Sequence, residues 1–328
     1  MKLESMDDIF PRRNVIGTIE TALQKYGVCI LKGESGIGKS FISQKFLKKA
    51  THEHKFKRIF VVNVSDSNID KSMYHMAQEM GLAIGEDYSS TLAFDKIFKQ
   101  LWDKISDDEF MHDMLIIFED AEVKFFMKCY DHAKQIKMLI LTKCEEDYIK
   151  DFEEENIIRL LPYNNSEGID AVKGFLDCNH LTVRDVRLYD TLVEKLRGFP
   201  LALYQVLNEI KFRIGWEKRE ENVPIDDVMR TYIDLGSKLN NVYVNNEIDD
   251  PHLQIVGMII NMRFSRLIEL RADLGKATRK LFVIMSYMDR NYLYEEMFKT
   301  GDGEERTKDF ENSLQVLKDM RLVSYENR

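Results

Sequence analysis

The sequence predicts an α/β fold: a parallel sheet with helices on both faces, followed by helical domains. Three observations carry that expectation. Five short apolar runs alternate with helical patterns in the first half of the chain, a glycine-rich stretch joins the first run to an amphipathic helix, and strand signals fade beyond Asn164. Runs that are apolar throughout, joined by crossovers long enough to hold a helix, indicate a parallel sheet covered on both faces.

The first run, residues 28–32, reads VCILK and ends at Gly33. A helix over 40–50 follows, with Ile42 and Phe46 one turn apart. Lys45, Lys48 and Lys49 lie toward its C-terminal end, where cations complement the helix dipole. Residues 59–64 read as a second strand. Ile69, Met73, Met76 and Met80 then recur at helical spacing, and Gly81 closes that helix. Leu92, Ile97, Leu101, Trp102 and Ile105 mark another helix. Residues 115–118 and 138–141 are the third and fourth strands, separated by a helical stretch with Val123, Phe126 and Tyr130; residues 157–161 are the fifth.

Past Asn164, Leu188, Leu192 and Leu196 line one helix face that ends at Gly198, and Pro200 is placed to open a helix over 201–211. The polar stretch 214–251, rich in Asn and Asp, reads as a linker. Helices follow over 264–274, 278–287 and 307–320, and a short run at 322–325 after the last of them suggests a winged helix. The expected domains are 1–163, 164–250 and 251–328: an α/β domain, a small helical domain and a winged-helix domain.

Composition narrows the function. A chain of 328 residues exceeds one small module, and 44% hydrophobic with 31% charged residues excludes a disordered chain. No apolar run approaches the roughly 20 residues a membrane helix needs, and acids occupy the place of a secretory leader's apolar core, so a cytoplasmic location and no membrane partner are expected. Lys plus Arg number 47 against 56 Asp plus Glu, and the net charge of −9 argues against a general nucleic-acid binder. No nucleic-acid partner is therefore expected. The four cysteines form no C-x-x-C pair and read as reduced core thiols, and His52 and His54, on a Lys-rich stretch without a nearby cysteine, do not make a metal site.

The chemistry is concentrated in Gly33-Glu34-Ser35-Gly36-Ile37-Gly38-Lys39-Ser40, followed by Phe41, which fits G-x-x-x-x-G-K-[ST] in full. Glycines let successive backbone N–H groups converge on a phosphate at the positive end of the next helix. Lys39 supplies a point charge for the terminal phosphates, and Ser40 a hydroxyl for Mg²⁺. A second element should follow another buried strand of the same sheet, and Leu115-Ile-Ile-Phe-Glu119-Asp120 provides one. One acid there can hold the metal while its neighbour orients a hydrolytic water. Thr142-Lys143 ends the next strand, where ligands sit in open α/β sheets. The fold expected is thus a P-loop NTPase.

The ordered set of motifs resembles the NB-ARC module, a STAND-class P-loop NTPase of apoptotic protease-activating factors and plant resistance proteins. Phe10-Pro-Arg12-Arg13-Asn-Val resembles that family's N-terminal segment, and Arg12 then implies a nucleotide contact. Leu139-Ile-Leu-Thr142-Lys143 resembles its sensor strand, with Lys143 in place of arginine. Gly198-Phe-Pro200-Leu-Ala-Leu203 matches the G-x-P-L motif, whose proline packs on adenine. The stretch from Phe264 to Ser286 resembles the start of the family's winged helix, and Ser286 completes the implied nucleotide-binding set. The resemblance also gives Glu119, where the family usually has Asp, to Mg²⁺ with Ser40, and gives Asp120 together with Glu119 to catalysis.

The implied function is an ADP/ATP-binding regulatory switch with slow or absent hydrolysis. Its exchange of nucleotide would control assembly into a homo-oligomer, or with related NB-ARC proteins, in apoptosis- or immunity-like signalling. The alternative is a DNA-directed P-loop ATPase whose winged helix grips duplex. Against it, residues 251–328 carry 13 basic and 12 acidic residues, and Asp309, Glu311 and Asp319 lie on the expected recognition helix.

Overall fold

The computed structural model describes residues 12–64, 69–81, 99–100, 113–121, 136–143, 149, 152–176, 183–217, 229–230, 232–234, 251–286, 304–320 and 322–323. All but residues 99–100 of the expected helix over Leu92–Ile105, the expected helix around Val123–Tyr130, Phe10, three of the four cysteines and most of the 214–251 linker lie outside these residues. The chain divides into two compact units, Met1–Pro162 and Tyr163–Arg328.

The first unit is an α/β sandwich. Its strands are β1 (Val28–Lys32), β2 (Arg58–Asn63), β3 (Met114–Ala121), β4 (Lys137–Thr142) and β5 (Ile157–Arg159), in the order β2-β3-β4-β1-β5. All four pairings are parallel. Its described helices are α1 (Arg13–Tyr26), α2 (Lys39–His52) and α3 (Ile69–Glu79). Strand alternation sends Val28, Ile30, Ile116, Phe118, Met138 and Ile140 into one buried layer with Met76 and Met80 at the end of α3. Cys29, Leu31, Leu115, Ile117, Leu139 and Leu141 are equally buried on the opposite face. Burial on both faces explains why the three central strands, β3, β4 and β1, read as unbroken apolar runs, whereas Val61 of the edge strand β2 is exposed.

Helix α1 is the element that sequence reading passed over. Ile19, Ala22 and Leu23 are its buried stripe, and Gly27 ends it at φ 81°, with its N–H donating to the Leu23 carbonyl at 3.1 Å. Glu20 ties it to α2 and the following turn, accepting from Lys49 at 2.8 Å and Lys55 at 2.7 Å. Burial pushes the Glu20 carboxyl up, but the two ammonium groups together outweigh that and hold it below its usual value. The pairing therefore stabilises the fold above the unfolded carboxyl's titration and fades as pH falls through the lower folded one. Burial also pushes the Cys29 thiol up to about 12, which keeps it protonated and inert in the core.

The second unit is helical in its described residues: α4 (Asn165–Leu176), α5 (Val183–Lys195), α6 (Pro200–Glu217), α7 (Pro251–Leu270), α8 (Ala272–Ser286) and α9 (Glu304–Asp319). Helix α6 is central: Ala202, Leu203, Val206, Leu207 and Ile210 are buried, and so are Gln205, Asn208 and Glu209 on the remaining sides. Helix α7 begins earlier than the expected 264, and the 278–287 helix begins at Ala272. Gly275 permits the close approach of α7 and α8, because a Cβ there would lie 2.7 Å from the Ile268 Cα. Phe264, Leu267, Leu281, Leu314, Leu317 and Met320 form the core of this helical cluster. Leu322 and Val323 form a bend rather than the start of the expected strand. The rest of that run lies outside the described residues.

Candidate functional site: a phosphate loop with two carboxylates

Strand β1 delivers the chain to the loop at the carboxyl end of the sheet. Lys32 is paired with Thr142 of β4 and Arg159 of β5, and the Gly33 N–H donates to the Thr142 carbonyl at 3.1 Å. Gly33 has no room for a side chain: a Cβ would meet Ile37 Cγ2 and the Leu160 carbonyl, each at 2.9 Å. Gly36 and Gly38 are required for a different reason, with φ of 79° and 103°. Around Gly38 a Cβ would find no atom within 4 Å, so open space lies at the first turn of α2.

Gly38 is also the N-cap of α2 and supplies no side-chain cap, so the helix presents its own N–H groups to that space. Ile37, 2% exposed, plugs the loop into the core. Lys39 arches back over the loop, donating to the Gly33 carbonyl at 2.7 Å and the Glu34 carbonyl at 2.9 Å. Its ammonium is held over the curl, where it would offset the charge of a phosphate that enters. Ser35 and Phe41 are half-buried and Ser40 is exposed; Lys45 lies 4.9 Å from the centre of the Phe41 ring. A glycine-built curl, a cation and the N-terminus of a helix without a side-chain cap fit the phosphates of a nucleotide.

The two acids lie at the carboxyl end of β3, two strands from β1. The strand runs through them instead of stopping at Phe118. Between Phe118 and Ala121 it carries one residue more than β4, a β-bulge, and Asp120 takes up the excess at φ 55°. A left-handed Asp costs on the order of 1 kcal/mol, although Asp tolerates it better than most residues. Glu119 is half-buried and Asp120 exposed. Thr142 closes the bulge by donating its hydroxyl to the Ala121 carbonyl at 2.6 Å, fully buried. The threonine that ended the fourth run thus has a structural task, and Lys143 follows it, exposed.

Asn63, which sequence reading did not single out, completes this group. It ends β2 opposite Glu119 in the register, and its side-chain amide donates to Asp120 Oδ2 at 3.1 Å. The available signal was a polar residue ending an apolar strand, too common to identify without the strand order. Arg12 lies at the start of α1, with its guanidinium donating to the Ile37 carbonyl of the loop at 3.5 Å and to the Leu161 carbonyl. Arg12, Gly33–Phe41, Glu119, Asp120 and Lys143 all belong to the first unit. Pro200 and Ser286 belong to the second: Pro200 is buried at the start of α6, and Ser286 donates to the Val283 carbonyl at 2.7 Å in the last turn of α8.

No protein-family model and no curated protein matches the chain. Solved structures similar to it include a Walker-type ATPase of Pyrococcus abyssi, at 16% identity over 98% of this chain and 93% of that one with a TM-score of 0.43. The Aeropyrum pernix ORC2 protein, in ADPNP and ADP complexes, is similar at 14% identity, 97% and 89% coverage and a TM-score of 0.47. Drosophila ORC bound to DNA is similar at 8% identity, 96% and 74% coverage and a TM-score of 0.44.

These likenesses are specific to neither the NB-ARC nor the STAND class. The expectation that nucleic acid is absent from the partners is corrected, since DNA-bound ORC is among the similar structures. Its physical basis was also too coarse: a net charge is a whole-chain sum and does not report the charge of any single face. Among the described residues no helix is long and apolar enough to cross a membrane. The five-stranded parallel sheet, its strand order and the β1–loop–α2 geometry make this a P-loop NTPase fold.

Proposed function

We propose that the chain binds ADP or ATP at the Gly33–Phe41 loop and hydrolyses ATP slowly. The observation that carries this reading is the convergence of Lys39, the bare N-terminus of α2 and the open cradle at Gly38, on the sheet end that also bears Asp120 fixed by Asn63. In hydrolysis, water attacks the γ-phosphorus, the bond to the ADP oxygen breaks, and Asp120 accepts the water's proton. Asn63 orients the accepting carboxylate, and Lys39 steadies the charge that grows on the phosphate oxygens. Mg²⁺, when bound, would neutralise phosphate oxygens, and Ser40 and Glu119 are the residues that would hold it. Lys143, a point charge where a bidentate arginine would grip better, and Glu119, one methylene longer than Asp, both favour slow turnover. The test is direct: acid-quench the purified protein, chromatograph the supernatant and titrate the stripped protein with ADP. Retained adenine nucleotide or saturable ADP binding is expected; the absence of both would remove the reading.

Two outputs for this nucleotide cycle were weighed from sequence, and one structural observation favours action on DNA. Lys276, Arg279 and Lys280 are all exposed, and their spacing places them on one face of α8. That local cationic face is hidden in the near-neutral sum of residues 251–328. Titrating labelled duplex into the protein should give an anisotropy rise whose affinity falls steeply with added salt, with a log–log slope of about −2 to −3 if those cations meet phosphates. A flat response at low salt would return preference to the NB-ARC-type switch. In that reading Pro200 and Ser286 contribute to nucleotide binding, and ADP-to-ATP exchange shifts the protein from monomer to oligomer on a sizing column.

A further inference from the structure

We infer that Arg12 is a positioning residue that couples the phosphate loop to the connector leading into the second unit, so that nucleotide binding orders residues 160–163. This inference rests on the nucleotide-binding reading of the loop and extends it to regulation.

The connector is bound to the loop at two points. Leu160, 6% exposed, donates its N–H to the Lys32 carbonyl at 2.8 Å, and its carbonyl lies against Gly33 so closely that a Cβ there would be 2.9 Å away. One residue further on, the Leu161 carbonyl accepts from Arg12 Nη2, while Nη1 of the same guanidinium faces the Ile37 carbonyl of the loop. Arg12 is itself placed by α1, which the Glu20–Lys49 and Glu20–Lys55 pairs anchor to α2 and its following turn. A planar guanidinium can hold two carbonyls at a fixed separation, which a flexible ammonium cannot do as well.

On the far side the chain is clamped again. The Tyr163 N–H donates to the Gly198 carbonyl at 2.8 Å, and a Cβ on Gly198, whose φ is 64°, would lie 2.0 Å from the Tyr163 carbonyl oxygen. Gly198 ends α5 and stands two residues before Pro200, which opens the central helix α6. Leu160 and Leu161 are thus held within the first unit and Tyr163 within the second, with Pro162 between them in the chain. A phosphate held by the loop N–H groups fixes the orientation of the loop peptides, including Ile37. Arg12 then passes that restraint to Leu161.

Amide hydrogen exchange of the full chain, with and without ADP saturating for each variant, tests this. In the wild type, ADP is expected to slow exchange at Leu160 and Tyr163 by about fivefold or more, the lower end of ordinary coupling between sites. In Arg12→Gln the α2 first turn should still gain protection from ADP, but the ADP-dependent ratio at Leu160 and Tyr163 should fall below about twofold. Arg12→Lys should give an intermediate ratio. A merely structural arginine would raise exchange equally with and without ADP and leave the ratio unchanged, which would overturn the inference. So would a wild type protected by ADP in α2 but not at residues 160–163, a measurement that stands even if neither variant folds. A wild type with no ADP protection anywhere would refute the nucleotide-binding reading itself.

Discussion

Lys39→Ala is expected to weaken ADP and ATP binding by at least about 30-fold, since truncating a charged group that engages an anion costs about 2 kcal/mol or more. The loss has two origins. The ammonium that would meet the terminal phosphates disappears, and the loop carbonyls of Gly33 and Glu34, now bridged at 2.7 and 2.9 Å, lose the cation that offsets their convergence. Isothermal titration with ADP checks the first, and a thermal melt without nucleotide shows whether the loop itself has loosened. Asp120→Asn is the informative companion. Asn tolerates the left-handed backbone at φ 55°, so the bulge should survive, and nucleotide affinity should stay within about threefold. Turnover should fall by about 100-fold or more, the usual contribution of a placed general base. If the two variants bind nucleotide equally well, Lys39 does not face the phosphates.

Arg263→Ala is expected to destabilise the second unit by about 3–5 kcal/mol, a large part of the total stability of a typical domain. Arg263 on α7 is 1% exposed and makes three hydrogen bonds: to Glu209 Oε2 at 2.9 Å, to Gln205 Oε1 at 2.9 Å and to the Met320 carbonyl, just past α9, at 2.7 Å. It joins three helices and satisfies a carbonyl at a helix end that has no intrahelical partner. Removing it takes from Glu209, itself 2% exposed, the guanidinium that it accepts from at 2.9 Å. The cost should lie in the desolvated carboxylate that stays buried more than in the attraction lost, so Arg263→Met combined with Glu209→Leu should recover most of it. Urea unfolding followed by far-UV circular dichroism separates these outcomes. If the single and double variants are equally unstable, the charge cluster is not the cause.

Much of the first unit was legible because its signals are local. An apolar run reads as a strand wherever it lies in the sheet, and a glycine-rich loop before an amphipathic helix needs no distant partner to be recognised. The observed strands differ from the expected spans mainly at their ends, and β3 shows why. The expected run stopped at the last apolar residue, Phe118, whereas the ladder continues to Ala121 because Thr142 supports the bulge from the adjacent strand. Helix α1 was missed for a related reason. Its buried stripe is only Ile19, Ala22 and Leu23, and Glu20 inside that stretch is stabilised by lysines 29 and 35 positions away in sequence.

The sequence alone determined that a parallel α/β sheet carries a phosphate loop at Gly33–Ser40 and an acidic pair at Glu119–Asp120, because side-chain type and local spacing suffice for both. Only the tertiary structure decided that Asp120 is the carboxylate fixed by Asn63, that Arg12 bridges the loop and the connector, and that Arg263 is buried against Glu209. Each of these depends on which distant backbones become neighbours, and hydrogen bonds of about 3 Å resolve what hydrophobic patterning leaves degenerate.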